Sequence, residues 1–308
     1  MLTVSEHRNI VSINGLSREE ILHVLDLSER LKKESKPGLL HGKIMGSCFF
    51  EPSTRTRLSF ESAMHKLGGE VIGFSDSKTV SVSKGESLYD SIKVIGQYVD
   101  VIVIRHPMEG AAQLASEATD KPVVNAGDGT NQHPTQTLLD LFTIRESQRT
   151  LENLKIAMVG DLRHGRTVHS LAQACSHFNS RLYFISPTGL EIPQNICHNL
   201  RAKGIKFSFH KSLEEVLSKA DILYVTRIQE ERFPNEAEYQ KFKDGFILTK
   251  DMLDKYAKEN LRILHPLPRV NEICSGVDST KYANYFQQAQ NGLYVRQAIL
   301  GFALGKLF

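Results

Sequence analysis

With 308 residues, 38 basic against 35 acidic side chains and a net charge of +3, the chain is long enough for two domains and too weakly basic for a dedicated nucleic-acid binder. Its 41% hydrophobic and 24% charged content excludes a disordered chain, and no apolar run is long enough to span a bilayer. Cys48, Cys175, Cys197 and Cys274 form no CxxC pair and fit no zinc spacing, so they read as thiols of a reducing compartment. Without a basic–apolar leader at the N-terminus, the expectation is a cytoplasmic protein.

In chain order, residues 19–35 carry a helical pattern with Ser17 as cap and Glu20 at the capping-box position; the cluster Arg30-Leu31-Lys32-Lys33 is a solvated face of that helix. "KIMGSCFF" predicts a buried strand. "STRTRLSFESAMHKLGG" predicts a helix with Phe60, Ala63, Met64 and Leu67 on one side, stopped by Gly68-Gly69. "EVIGF" is a strand and "SDSKTVSVSKGES" a polar loop. A helix follows from about Leu88 to Tyr98, then "VDVIVIRH", a β-branched run expected to be buried on both faces of a parallel sheet. "EGAAQLASEAT" reads as a helix, "KPVVNAG" as a strand, "DGTNQHP" as a loop and "TQTLLDLFTIRES" as a helix leaving the first domain. The alternation then restarts with the strands "KIAMVGD", "RLYFISP", "IKFSFH" and "ILYVTR" separated by helices. A polar segment "ERFPNEAEYQKFKDG" leads on to the strand and rigid turn of "RILHPLP", and a long helix ends the chain. Two successive β-α-β series predict two doubly wound parallel-sheet α/β domains linked by helices. The expected division is 1–134, with helix 287–308 packing back on it, and 135–286.

In such folds ligands bind beyond the carboxyl ends of strands, so the polar residues there are the site candidates. After "CFF" come Ser53, Thr54, Arg55 and Thr56. Arginine at a helix start opposes the macrodipole, whereas free N–H groups, hydroxyls and a guanidinium together make an anion cradle. Arg57 points ambiguously and reads as a structural or interface ion pair. Arg105 ends a fully apolar strand and must be either ion-paired or facing a cleft. His133 and Gln136 flank Pro134 at a helix start, and His133 could donate to a carbonyl oxygen. "GDLRHGRT" matches a nucleotide loop only weakly, with arginine in the lysine position, and reads better as an anion site built on Arg166. Arg227 and Gln229 follow "LYVT". The Pro266 and Leu267 carbonyls in "HPLP" could accept from an amine, and Lys84 is a further cation in a glycine-bearing loop. A crevice receiving Arg55, Arg105, Arg166 and Arg227 demands strongly anionic ligands and needs no metal or cofactor.

These motifs, "FFEPSTRTRLSFE", "KGESLYDS", "VIRHPMEGAA", "NAGDGTNQHPTQTLLDLFTI", "GDLRHGRTVHSL", "YVTRIQEERF" and "HPLPRVNEI", occur in one order over essentially the whole chain, which thereby resembles the aspartate/ornithine carbamoyltransferase family. The turn is "HPLP" rather than "HCLP" and no Ser-Met-Gly occurs, so the resemblance is to the catalytic chains of the aspartate type. It implies an active site in the cleft between the domains and transfer of the carbamoyl group of carbamoyl phosphate to L-aspartate, in pyrimidine biosynthesis. Carried over, Ser53, Thr54, Arg55, Thr56 and Arg105 hold phosphate. Thr56, Arg105 and His133 polarise the carbamoyl oxygen, while Gln136, Pro266 and Leu267 hold the amide. Arg166, Arg227 and Gln229 bind aspartate, and Lys84 reaches in from a neighbouring subunit of a homotrimer. The resemblance leaves open a larger assembly with a zinc-containing regulatory chain. Val80 departs from the family's serine, with Ser81 and Ser83 nearby, and His164 from a tyrosine before the Gly-Arg. The competing readings are a carbamoyltransferase of the ornithine type and a non-catalytic anion-binding subunit of the same fold.

Overall fold

The protein is described by a computed structural model covering residues 7–76, 85–240, 242 and 245–306. Its contacts divide it into two units, one of residues 1–142 and 290–308, the other of 143–289.

The first unit begins with α1 (Arg18–Lys33), closed by the expected capping box: Ser17 Oγ accepts from Glu20 N at 3.2 Å, and Glu20 Oε2 accepts from Ser17 N at 2.8 Å. Then follow β1 (Ile44–Phe49), α2 (Thr54–Lys66), β2 (Glu70–Phe74), α3 (Leu88–Ile95), β3 (Val101–His106), α4 (Ala111–Ala118) and β4 (Val123–Asp128), and the unit continues into α5 (Pro134–Gln148). The strands form one parallel sheet in the order β2-β1-β3-β4. As the β-branched run predicted, Val101, Ile102, Val103 and Ile104 are buried. On α2, Phe60, Ala63, Met64 and Leu67 form the buried stripe, each large side chain stabilising by about 1.5–3 kcal/mol. The helix after the "SKGES" loop is shorter than expected: Gly96 caps it three residues early, and Gln97 and Tyr98 turn back on Val94 and Ile95.

The second unit contains β5 (Lys155–Val159), α6 (Arg166–Ala174), β6 (Arg181–Ile185), α7 (Gln194–Ala202), β7 (Phe207–His210), α8 (Glu214–Leu217), β8 (Ile222–Val225), α9 (Glu236–Gln240), α10 (Lys250–Tyr256) and β9 (Arg262–Leu264). All five strands are parallel, in the order β7-β6-β5-β8-β9. The polar segment after β8 holds α9 and an aromatic cluster, Phe233 lying 5.9 Å from the Tyr239 ring and 5.6 Å from that of Phe242. The final helix, α11 (Tyr285–Ala303), runs from this unit into the first.

Each sheet has one point where the winding reverses, between β1 and β3 in the first unit and between β5 and β8 in the second. Loops leaving adjacent strands there diverge to opposite faces, opening a crevice at the carboxyl ends. Register places Phe49 beside Arg105 and Val159 beside Val225, so the loops that follow each pair start at the same level.

Candidate active site

In the first unit, β1 delivers the chain to the α2 N-terminus. Ser53 is the N-cap in extended conformation, yet its side chain makes no capping hydrogen bond, and the first turn has no acidic residue. Thr54 and Arg55 are exposed and Thr56 is buried. A helix start whose N–H groups are left uncapped while a cation stands on its first turn is suited to an anion. Arg57 is turned away from this task. Its Nε binds Glu61 Oε1 at 2.7 Å, one turn along, and Ser47 Oγ donates to the same oxygen at 2.9 Å. The ion pair expected for Arg57 is present.

Across the switch point, Arg105 has its Nε 2.7 Å from Glu51 Oε1. The ion-paired reading of Arg105 applies, and the residue stands at the carboxyl end of β3 at the reversal. Next to it, His106 packs its ring 4.9 Å from that of Phe50 and accepts a hydrogen bond at Nδ1 from Met108 N. Burial pulls its pKa down, against an upward pull from Glu51 and Asp128.

The loop after β4 is organised by buried Asp128. Its Oδ1 accepts from Asn125 Nδ2 at 2.8 Å and Gln132 N at 3.1 Å; its Oδ2 accepts from Gly110 N at 2.9 Å and Asn131 Nδ2 at 3.0 Å. A carboxylate taking four donors fixes the loop that delivers His133, which is 4% exposed, to the start of α5. His133 Nδ1 is 3.4 Å from Thr135 Oγ1. Gln136, one turn into the helix, donates from Nε2 to Asp140 Oδ1 at 2.8 Å. Lys84, with Val80, Ser81 and Ser83, lies outside the described residues.

In the second unit, Gly160 follows β5 with φ +113, and a Cβ there would lie 2.0 Å from Thr226 O. Only glycine lets the two loops of the switch point pass so closely. Buried Asp161 then accepts from His164 N at 3.0 Å and lies 3.1 Å from His164 Nδ1, which fixes the turn before Arg166, the first residue of α6. As in α2, the N-cap (Gly165) supplies no side-chain bond and the first turn has no acid. Arg227 and Gln229 follow β8. Arg227 lines a concavity shared with Gly160, Thr226, Tyr239, Asn271 and Glu272.

The turn after β9 is clamped by His265. Its Nε2 meets Glu272 Oε1 at 2.6 Å, its Nδ1 accepts from Leu267 N at 2.8 Å, and its own backbone N donates to Gln288 Oε1 at 2.8 Å. Accepting at Nδ1 puts the ring proton on Nε2, so the ring is neutral and Nε2–H donates to the Glu272 carboxylate. Burial moves His265 down, against the pull of Glu272, and Glu272 is itself lowered by this bond although burial opposes it. The clamp holds Leu267 at φ +55, a conformation few non-glycine residues adopt. Among the described residues, no backbone N–H bonds to the Pro266 or Leu267 carbonyl, as suits a turn that presents them to a ligand.

The structure therefore gathers Ser53, Thr54, Arg55, Thr56, Arg105, His133 and Gln136 after strands of the first unit. Arg166, Arg227, Gln229, Pro266 and Leu267 follow strands of the second. Sequence reasoning missed the carboxylates that set them: Glu51 at Arg105, Asp140 at Gln136 and Glu272 at His265. Glu51 sits inside a quoted motif, but a carboxylate next to an anion site suggests no role until its partner is seen.

Hydroxyls, arginines and a histidine stand at the strand ends of two doubly wound α/β units, an arrangement suited to small anions. Residues 8–146 match the family model described as "Aspartate/ornithine carbamoyltransferase, carbamoyl-P binding domain", and residues 152–303 that described as "Aspartate/ornithine carbamoyltransferase, Asp/Orn binding domain". The chain belongs to the aspartate/ornithine carbamoyltransferase family. It is 54% identical over 299 residues to the aspartate carbamoyltransferase catalytic subunit of Chromobacterium violaceum, covering 97% of this chain and 98% of that one. Its fold matches the catalytic subunit of M. jannaschii aspartate transcarbamoylase with TM-score 0.87 at 49% identity, over 96% of this chain and 97% of the other. It matches Trypanosoma cruzi aspartate transcarbamoylase in complex with carbamoyl phosphate and aspartate with TM-score 0.90 at 36% identity, over 96% and 97%.

Proposed function

We propose that the chain transfers the carbamoyl group of carbamoyl phosphate to the amino group of L-aspartate, giving N-carbamoyl-L-aspartate and phosphate, an early step of pyrimidine synthesis. The observation that carries this reading is the start of α2, where Ser53 makes no capping bond, no acid occupies the first turn and Arg55 stands instead. Relatives named for this activity, and a structural neighbour that holds both substrates, support it.

In this reading Ser53, Thr54, Arg55, Thr56 and Arg105 bind the phosphate. The aspartate amine attacks the carbamoyl carbon, and negative charge gathers on the carbonyl oxygen. Thr56, Arg105 and His133 meet that charge as preset donors, so no reorganisation is needed as it develops. When Thr135 Oγ1 donates to His133 Nδ1, the imidazole proton resides on Nε2 and is the one offered. Gln136 and the Pro266 and Leu267 carbonyls orient the carbamoyl NH2. Arg166, Arg227 and Gln229 hold the two carboxylates of aspartate, fixing the amine for attack. The carbon–oxygen bond to phosphate then breaks, phosphate leaves with the electron pair, and it takes the proton released by the amine. No covalent enzyme intermediate is involved.

The same reading makes the active unit a cytoplasmic homotrimer with Lys84 supplied to the neighbouring subunit's site. Among the described residues no helix is long and apolar enough to cross a membrane. Mixing inactive Arg55→Ala and Lys84→Ala trimers and letting subunits exchange should restore activity in the hybrids; no recovery would overturn shared sites. The substrate assignment is tested by offering carbamoyl phosphate with a panel of amines. Aspartate should be carbamoylated in preference to all others, and a preference for ornithine would replace this reading with the alternative.

A further inference from the structure

Through residue 144, helix α5 has no exposed face: residues 132–144 are all buried, including Thr135, Gln136, Thr137, Asp140 and Thr143. Buried polar side chains on such a helix must find partners within the protein, and the choice of partner fixes their geometry. Gln136 and Asp140 are one turn apart on the same side, and Asp140 is 0% exposed. A carboxylate only accepts, so the Gln136 atom 2.8 Å from Asp140 Oδ1 is the amide nitrogen. The amide oxygen therefore faces the other way.

A buried carboxylate favours a nearby cation, and α11 carries a buried one. Arg296 is 4% exposed, with its guanidinium 5.2 Å from the Phe60 ring centroid on α2. It fits because position 292, one turn earlier, is glycine: a Cβ there would stand 2.5 Å from an Arg296 terminal nitrogen. Burial lowers its pKa to about 10, Asp140 pulls upward and Arg55 pushes downward. Both the α5 carboxylate and the α2 arginine are therefore within its field.

We propose that Asp140, with Arg296 as its buried counter-charge, is a positioning residue that locks the Gln136 amide so that it offers its oxygen, and not its nitrogen, to the NH2 of the bound carbamoyl donor. This rests on the carbamoyl-transfer reading above. The lock selects donors whose group beside the phosphate carries N–H bonds, because a flipped amide would set one NH2 against another.

The test compares two probes by calorimetry: phosphonoacetamide, which carries both a phosphonate and an amide NH2, and inorganic phosphate, which carries no amide. The wild-type protein should prefer phosphonoacetamide. Asp140→Asn lets the Gln136 amide take either orientation and should weaken phosphonoacetamide about tenfold while leaving phosphate within about twofold. Should the lone Arg296 charge prevent that variant from folding, Asp140→Asn with Arg296→Gln removes both buried charges together and should show the same split. Parallel loss of both probes would reduce Asp140 to a structural role, and an unchanged preference would overturn the lock. A wild-type protein without the preference would instead overturn the carbamoyl reading of Gln136.

Discussion

Arg105 Nε stands 2.7 Å from Glu51 Oε1, so the cation that ends β3 faces a carboxylate from the loop after β1. Both side chains are mostly buried, at 16% and 20% exposure. In the proposed reading, an arriving phosphate must share Arg105 with Glu51 or displace it. Glu51→Gln keeps the shape and removes the charge. Inorganic phosphate should then bind roughly fivefold tighter, about 1 kcal/mol, in an isothermal titration. Weaker binding would mean that Glu51 serves chiefly to hold Arg105 in position.

Arg55 and Arg57 stand two residues apart in "STRTR" and should behave oppositely. Arg57 is held by Glu61 and is partly exposed, so Arg57→Gln should cost at most about 1 kcal/mol of stability and little activity. Arg55→Gln should lower kcat/KM for carbamoyl phosphate by about 100-fold or more, the loss of a charge-assisted contact in the transition state. Steady-state kinetics on the two variants decides; equal losses would contradict the assignment.

This contrast also shows what the sequence made legible. The parallel strands announced themselves as apolar runs, the α2 stripe by its helical spacing, and the arginines by lying just past strand ends. For Arg57 an ion pair was expected but its partner was not, although Glu61 stands only one helical turn away. Asp140 and Arg296 were not legible. They lie on stretches of α5 and α11 that are buried all round, residues 134–144 and 295–303, where no apolar stripe distinguishes a polar residue inside from one outside. Glu272 escaped notice because its bond to His265 is made by a turn folding back. The "KGES" lysine remains an inference from resemblance alone.

The His265 clamp makes stability depend on pH. Burial lowers the folded-state pKa of both His265 and His106, so the unfolded chain binds protons first as pH falls. Their contribution is fully present above about pH 6.5 and is lost as pH drops from there through the folded-state values. Protonating His265 Nδ1 would also break its bond from Leu267 N. Urea unfolding between about pH 7.5 and 5.5 should lose up to ~1.4 kcal/mol per pH unit for each histidine. The slope should shrink in His106→Asn; an unchanged slope would mean that His106 does not contribute.

Gly160 and Gly204 both have positive φ but differ in surroundings. A Cβ at Gly160 would collide with Thr226 O at 2.0 Å, whereas at Gly204 nothing lies within 4 Å. Gly204→Ala should cost about 1 kcal/mol from backbone strain alone. Gly160→Ala should cost about 3 kcal/mol or more and lower aspartate affinity by shifting Arg227. Denaturant titration of both variants, with KM for aspartate, would reveal equal costs if the close approach of the two loops were unimportant.

The central claim is tested most directly by incubating the purified chain with 14C-carbamoyl phosphate and L-aspartate and measuring both products, with the assembly sized in parallel. The account predicts N-carbamoyl-L-aspartate and phosphate in equal amounts, formed by a trimer. Phosphate release without carbamoyl aspartate, or label passed to a different amine in preference to aspartate, would contradict it.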